Sequence, residues 1–310
     1  MEEMKNWPFL APFGRTLSLH NNELFYYDSE GSADSEGNAD SASDGDKPTL
    51  ILIHGLGDEA DTWRHIVPLL MGEGYRIIAP DLPGFGRSLW KGRISLHSQC
   101  KAITCLMHTT GAANADRPAI LIGSSLGACI AEMIAGNQPE LVKGIILIGG
   151  CFPCAHKLNK TFFLPMLPFV GKNWYRSFRS NHDAAWRSLY PYYHNIDAMS
   201  SADRDFLRKR VIARVESPNQ ERGYLATMRS MHLFFLFGKR RMATRIQTFP
   251  GKIHILWGEY DNVFPLNNTA SLRTLRPDAD CTLIPDAGHL PNQENPEASA
   301  AEILRILQSA

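Results

Sequence analysis

Neither sign of charge dominates this chain. Its 32 lysines and arginines are matched by 32 aspartates and glutamates, so no overall field recruits nucleic acid or an anionic membrane. Long apolar runs are missing too. The opening Met1-Glu2-Glu3-Met4-Lys5-Asn6 is charged with no apolar signal region behind it, and the longest apolar stretches fall well short of a bilayer span. We therefore expect a soluble, cytoplasmic protein with no nucleic-acid partner and no integral membrane association. Cysteine is scarce: six in 310 residues make no disulfide scaffold. Cys151-Phe152-Pro153-Cys154 has the spacing of a redox pair or half a zinc site, yet no second pair lies at finger spacing. We read Cys151 and Cys154 as ordinary buried or pocket-lining thiols and expect neither metal nor cofactor.

The pattern along the chain is richer. Residues 15–20 and 23–27, separated by Asn21-Asn22, have the look of an opening hairpin at an antiparallel sheet edge. At 28–46 the composition shifts to Ser, Gly, Ala, Asp and Glu, which predicts a flexible acidic loop with no large apolar anchor. Short apolar strands at 49–53, 75–79, 119–122 and 144–148 then alternate with helical stretches at 62–71, 95–109 and 126–135. The rhythm resumes with a strand at 253–257, a helix at 267–274, a strand at 281–284 and a closing helix at 298–308. This alternation predicts an α/β fold with a mostly parallel twisted sheet and helices on both faces. Between 151 and 250 there are aromatic-rich helical stretches and no convincing strand, so we expect a helical cap inserted into a core made of 1–150 and 251–310. Phe162, Phe163, Phe234 and Phe235 are among its large apolar residues, which suit either an acyl pocket or the cap's own core.

The most informative feature is Gly123-Ser124-Ser125-Leu126-Gly127, between a strand and a helix. A serine hydroxyl needs an exposed perch, a base and oxyanion donors before it attacks, and a strained strand-to-helix turn supplies the perch. Ser125 is central in the glycine frame and Ser124 is its rival. Asp261 follows the apolar strand at 253–257, with Glu259 as the competing acid, and His289 follows the last strand in Asp286-Ala287-Gly288-His289. Parallel strands place Ser125, Asp261 and His289 at one sheet edge. Asp286 lies too near His289 along the strand end to be preferred. His54, Asp81 and Trp63 read as residues that brace or pack their own turns.

The order Ser, Asp, His is that of the α/β-hydrolases. The chain resembles a capped serine hydrolase of that superfamily, esterase-like or lipase-like, over nearly its whole length apart from the acidic loop. Three motifs add to the resemblance: His54-Gly55-Leu56-Gly57, Asp81-Leu82-Pro83-Gly84-Phe85-Gly86-Arg87-Ser88, and Gly288-His289 followed by Glu294-Asn295-Pro296. It implies a triad of Ser125, His289 and Asp261. Backbone N–H of Leu126 is the elbow's own oxyanion donor, and the resemblance makes Leu56 the second.

A serine nucleophile disfavours the dehalogenase and epoxide hydrolase activities of similar folds, which use aspartate. With His and Asp it favours an acyl-enzyme route on an ester, and the large apolar residues of the cap lean towards a hydrophobic carboxylic ester of small or medium size. Carbon–carbon bond hydrolases commonly carry tryptophan after the histidine, where this chain has Leu290, and a glycine-rich oxyanion segment, where it has Asp58-Glu59. Proline iminopeptidase-like amidases usually carry a bulky aromatic at the position of Leu126. A receptor with vestigial turnover is the alternative of another class.

Overall fold

The computed structural model describes residues 6–30, 47–151 and 167–309. A hairpin of β1 (Gly14–Leu19) and β2 (Asn22–Asp28) turns at His20, which takes a φ of 56°. There follow β3 (Leu50–Ile53), α1 (Ile66–Gly72), β4 (Ile77–Pro80), α2 (Leu96–Thr109), β5 (Ala119–Ser124), α3 (Leu126–Asn137) and β6 (Val142–Ile148). Five helices come next: α4 (Pro168–Ser177), α5 (His182–Arg187), α6 (Ser201–Glu216), α7 (Pro218–Leu233) and α8 (Lys239–Gln247). The chain returns to the sheet with β7 (Lys252–Gly258), α9 (Thr269–Leu275), β8 (Asp280–Ile284), α10 (Pro291–Glu294) and α11 (Pro296–Gln308).

These strands form one sheet in the order β1-β2-β4-β3-β5-β6-β7-β8. The β1/β2 and β2/β4 pairs are antiparallel, and every later pair is parallel. Strand order reverses between β3 and β5, because the chain steps outward to β4 before returning to the far side of β3. The crevice at the carboxyl ends of β3 and β5 is thus the topological switch point where such sheets bind ligands.

Alternation along each strand feeds two cores. Ile51, Ile53, Leu121 and Leu147 pack with Ile103 and Ile130 on one face. Leu50, Leu52, Ile122 and Ile148 pack with Trp63, Ile66 and Ile303 on the other. Each such side chain contributes roughly 1.5–3 kcal/mol of burial before conformational entropy is subtracted. Strands buried on both sides become continuous apolar runs, which is why they stand out in the sequence.

Two local expectations change. The helix expected at 62–71 is a 3₁₀ turn at Ala60–Trp63 followed by α1 from Ile66. Pro68 explains the break, since it has no N–H to donate and is tolerated in the first turn of a helix but not in its interior. Asp28, expected to begin the acidic loop, instead ends β2, and its carboxylate accepts two hydrogen bonds from Arg76 at 2.9 and 3.2 Å. The rest of that loop from residue 31, together with Cys154, Phe162 and Phe163, lies outside the described residues. Two helices escaped the sequence reading, α8 and the four-residue α10. Among the described residues no helix is long and apolar enough to cross a membrane.

Candidate active site

The local fold at Ser125 is dictated by close approach. A Cβ on Gly127 would collide with the carbonyl oxygen of Ile53 in β3, and one on Gly123 would collide with the Gly127 backbone. Only glycine at both positions lets α3 start directly against the sheet. Ser125 itself has φ 51° and ψ −110°, a strained conformation for a non-glycine residue that projects its side chain out of the turn. Its N–H donates to Ile148 O at 2.8 Å, tying the turn to the end of β6.

Two loops bring partners to that hydroxyl. His289 Nε2 lies 3.0 Å from Ser125 Oγ, and His289 Nδ1 lies 2.8 Å from Asp261 Oδ2. The other carboxylate oxygen accepts the N–H groups of Val263 and Phe264, each at 2.8 Å, which fixes its plane. A carboxylate at Nδ1 keeps the proton there, leaving Nε2 free to accept from the serine hydroxyl. Both His289 and Asp261 side chains are almost fully buried.

The competing residues are placed elsewhere. Ser124 ends β5 with a buried hydroxyl that finds no partner. Glu259 and Asp286 are exposed. Asp81 accepts the N–H groups of Ala60 and Arg87, both at 2.7 Å, and so clamps its turn to the segment after β3.

The segment after β3 passes directly beside the serine, since a Cβ on Gly55 would lie 3.4 Å from Ser125 Cβ. His54 supports it from beneath. Its Nε2 accepts the N–H of Leu82 and its Nδ1 donates to Gly55 O, both at 2.8 Å. Burial lowers the basicity of this imidazole, in keeping with the neutral form those two bonds require. Leu56 follows in the same loop. Leu126 is the first residue of α3, so its N–H has no acceptor inside the helix.

Beyond Leu56 the loop is held by charge. Glu59, completely buried, accepts from Arg210 and Arg214 on α6. Arg214 also reaches Asp58, and Arg210 reaches Asp61 at 3.1 Å. Burial alone would raise the Glu59 carboxyl; the two guanidiniums outweigh it and hold the group far below the ordinary carboxylate range. A second tie joins the histidine loop to the helical segment. Glu294 accepts from Gly288 at 2.6 Å on one oxygen and from His194 at 2.7 Å and Asn195 at 3.0 Å on the other.

Two cavities meet at the serine. The larger, of about 220 Å³, is lined mainly by the helical segment, including Trp174, Tyr175, Val211 and Tyr224. The smaller, of about 90 Å³, runs between Leu126, Cys151, Met231, Phe264 and Asn268. Ser125, His289, Leu56 and Tyr192 border both. Tyr192 went unnoticed in the sequence: its carbonyl accepts the His289 N–H at 2.9 Å, and burial raises its phenol. No local pattern marks it, because its partner lies in a distant loop. Arg210 and Arg214 were missed for the same reason, and Asn268 because nothing in the local pattern sets it apart. Cys151, expected to line a pocket, does so, and its thiol donates to Asn268 O at 3.6 Å.

Comparison with known proteins agrees with this fold. A pyrrolizixenacetamide deacetylase of Xenorhabdus hominickii is 26% identical over 269 residues, which is 86% of this chain and 91% of the relative. A pimeloyl-[acyl-carrier protein] methyl ester esterase of Yersinia pseudotuberculosis is 26% identical over 262 residues, 84% of this chain and 93% of the relative. Among solved structures, a thermophilic esterase from Thermogutta terrifontis superimposes with a TM-score of 0.72 at 18% identity, covering 96% of this chain and 98% of that one. A family model described as alpha/beta hydrolase fold matches residues 48–296, the span that carries strands β3 to β8, the turn at Ser125 and the loops of Asp261 and His289. The chain belongs to the alpha/beta hydrolase fold family.

Proposed function

We propose that this protein hydrolyses a small or medium-sized hydrophobic carboxylic ester through an acyl-enzyme, with Ser125 as nucleophile, His289 as proton carrier and Asp261 as the orienting acid. The observation that carries this is the unbroken line from Ser125 Oγ to His289 to Asp261, opening onto two cavities. Ser125 Oγ bonds to the acyl carbon while its proton passes to His289 Nε2. The carbonyl oxygen becomes an oxyanion held by the N–H groups of Leu56 and Leu126, each such donor being worth about 3 kcal/mol. Collapse breaks the bond to the alcohol, which leaves with the proton from His289. Water then attacks the acyl-serine, its proton passing to His289 and on to Ser125 as the acid departs.

The names of the two relatives support acyl transfer to water, one describing a methyl ester esterase and the other a deacetylase. In this reading α4 to α8 form a cap over the site, and the partner is a small acyl substrate that needs no cofactor. The test is turnover on three probes: p-nitrophenyl esters of short and medium acyl chains, a dienone ring-cleavage product and an aminoacyl-arylamide. Ester turnover that disappears in Ser125→Ala is expected. Turnover of the dienone alone would move the reading to carbon–carbon hydrolysis. Tight binding without turnover of any probe would make the protein a receptor.

A further inference from the structure

We infer that Asn268 is a specificity residue that reads a neutral hydrogen-bonding group on the part of the substrate lodged in the smaller cavity. This rests on the esterase reading above and extends it to substrate class.

Asn268 is 1% exposed and lines that cavity, yet neither Nδ2 nor Oδ1 has a hydrogen-bond partner. Its position offers an obvious use for the side chain, as N-cap of α9, and it makes no capping bond. A buried amide left unpaired on both its donor and its acceptor side costs stability, and native proteins keep few of them. Apart from Ser125, Tyr192 and His289, which it shares with the larger cavity, the lining around it is largely apolar or sulfur-bearing, from residues such as Leu126, Cys129, Met231, Phe235 and Phe264.

The chemistry of the missing partner follows. An amide donates and accepts, so it pairs with a hydroxyl or another amide. No Lys, Arg, Asp or Glu lines the cavity among the described residues, so a charged carboxylate or ammonium there would be desolvated without a counter-ion. Size limits the group further. At about 90 Å³ the cavity is smaller than the roughly 150 Å³ engineered void that takes benzene, so it admits a chain of only a few heavy atoms. The substrate is therefore an ester with a short hydroxyl-bearing or amide-bearing arm in the smaller cavity and a bulkier apolar arm in the larger.

Two matched pairs of esters test this by acid release: propyl butanoate against propyl β-hydroxybutanoate, and butyl acetate against hydroxybutyl acetate. The wild type should prefer the hydroxylated member of one pair by roughly tenfold or more in kcat/KM, since a site with unpaired polar groups rejects the analogue that cannot satisfy them. Asn268→Leu should erase that preference, lowering kcat/KM for the hydroxylated ester by a larger factor than for the plain one, and melt no lower than the wild type. A merely structural asparagine would instead slow both members alike and lower the melting temperature, which would overturn the inference. So would a wild type with no preference in either pair, or a leucine variant that retains one. If leucine disrupts folding, Asn268→Ala takes its place with the same expectation for selectivity. Failure of the esterase reading looks different, because the wild type then turns over neither member of either pair.

Discussion

Replacing Glu59 by glutamine tests whether the charge network behind the loop after β3 holds the site together. The carboxylate is fully buried and accepts from two arginines on α6, so the substitution removes the shared anion but leaves the shape. Orphaning a buried charge typically costs about 3–5 kcal/mol. Here the arginines are not orphaned, since Arg210 keeps Asp61 and Arg214 keeps Asp58, so we expect roughly 2–3 kcal/mol, below that range for a fully broken pair. The shift in urea midpoint at neutral pH, multiplied by the slope, measures it. The sign with pH is also fixed. Glu59 titrates lower in the folded protein than its unfolded value of about 4.3, so its stabilisation is present above that value and lost as pH falls further. Wild type and variant should therefore converge in acid. Equal midpoints at neutral pH, or a gap that persists unchanged into acid, would refute the reasoning.

Other substitutions probe the site more locally. Asp261→Asn should lower kcat by about 10³–10⁴-fold with KM little changed, because the imidazole then takes the wrong tautomer; steady-state kinetics on a p-nitrophenyl ester decides. Gly127→Ala should cost about 3 kcal/mol or more, since its Cβ would meet the β3 backbone, which cannot move without parting the sheet from α3. Gly72→Ala is the control, having nothing within 4 Å of the added carbon, and should stay within about 0.5 kcal/mol by the same denaturation assay.

What could be read from the sequence was local. Each buried strand is a short apolar run, and the two glycines that frame Ser125 stand within five residues, so both left compact signatures even though β3 is what forces Gly127. Ser125, Asp261 and His289 are far apart in the chain, but each follows a strand of a parallel sheet, and that common direction brings their loops together. Contacts between the helical segment and the loop after β3 carry no comparable signal. Arg210 and Arg214 sit on an ordinary polar helix face until α6 is docked against Glu59. Asn268 falls inside the helix expected at 267–274, and only the packed structure leaves its amide without a bond. Pro68 was visible, yet its effect on the start of α1 depends on which residue begins the helix.

The central claim is that Ser125 forms a covalent acyl bond with the substrate. Acid-quenching the protein during turnover of a slow ester and mapping the adduct by peptide mass spectrometry tests it directly. The acyl mass should appear on Ser125 and disappear in Ser125→Ala. An adduct on Ser124, or undiminished turnover in the alanine variant, would contradict the account.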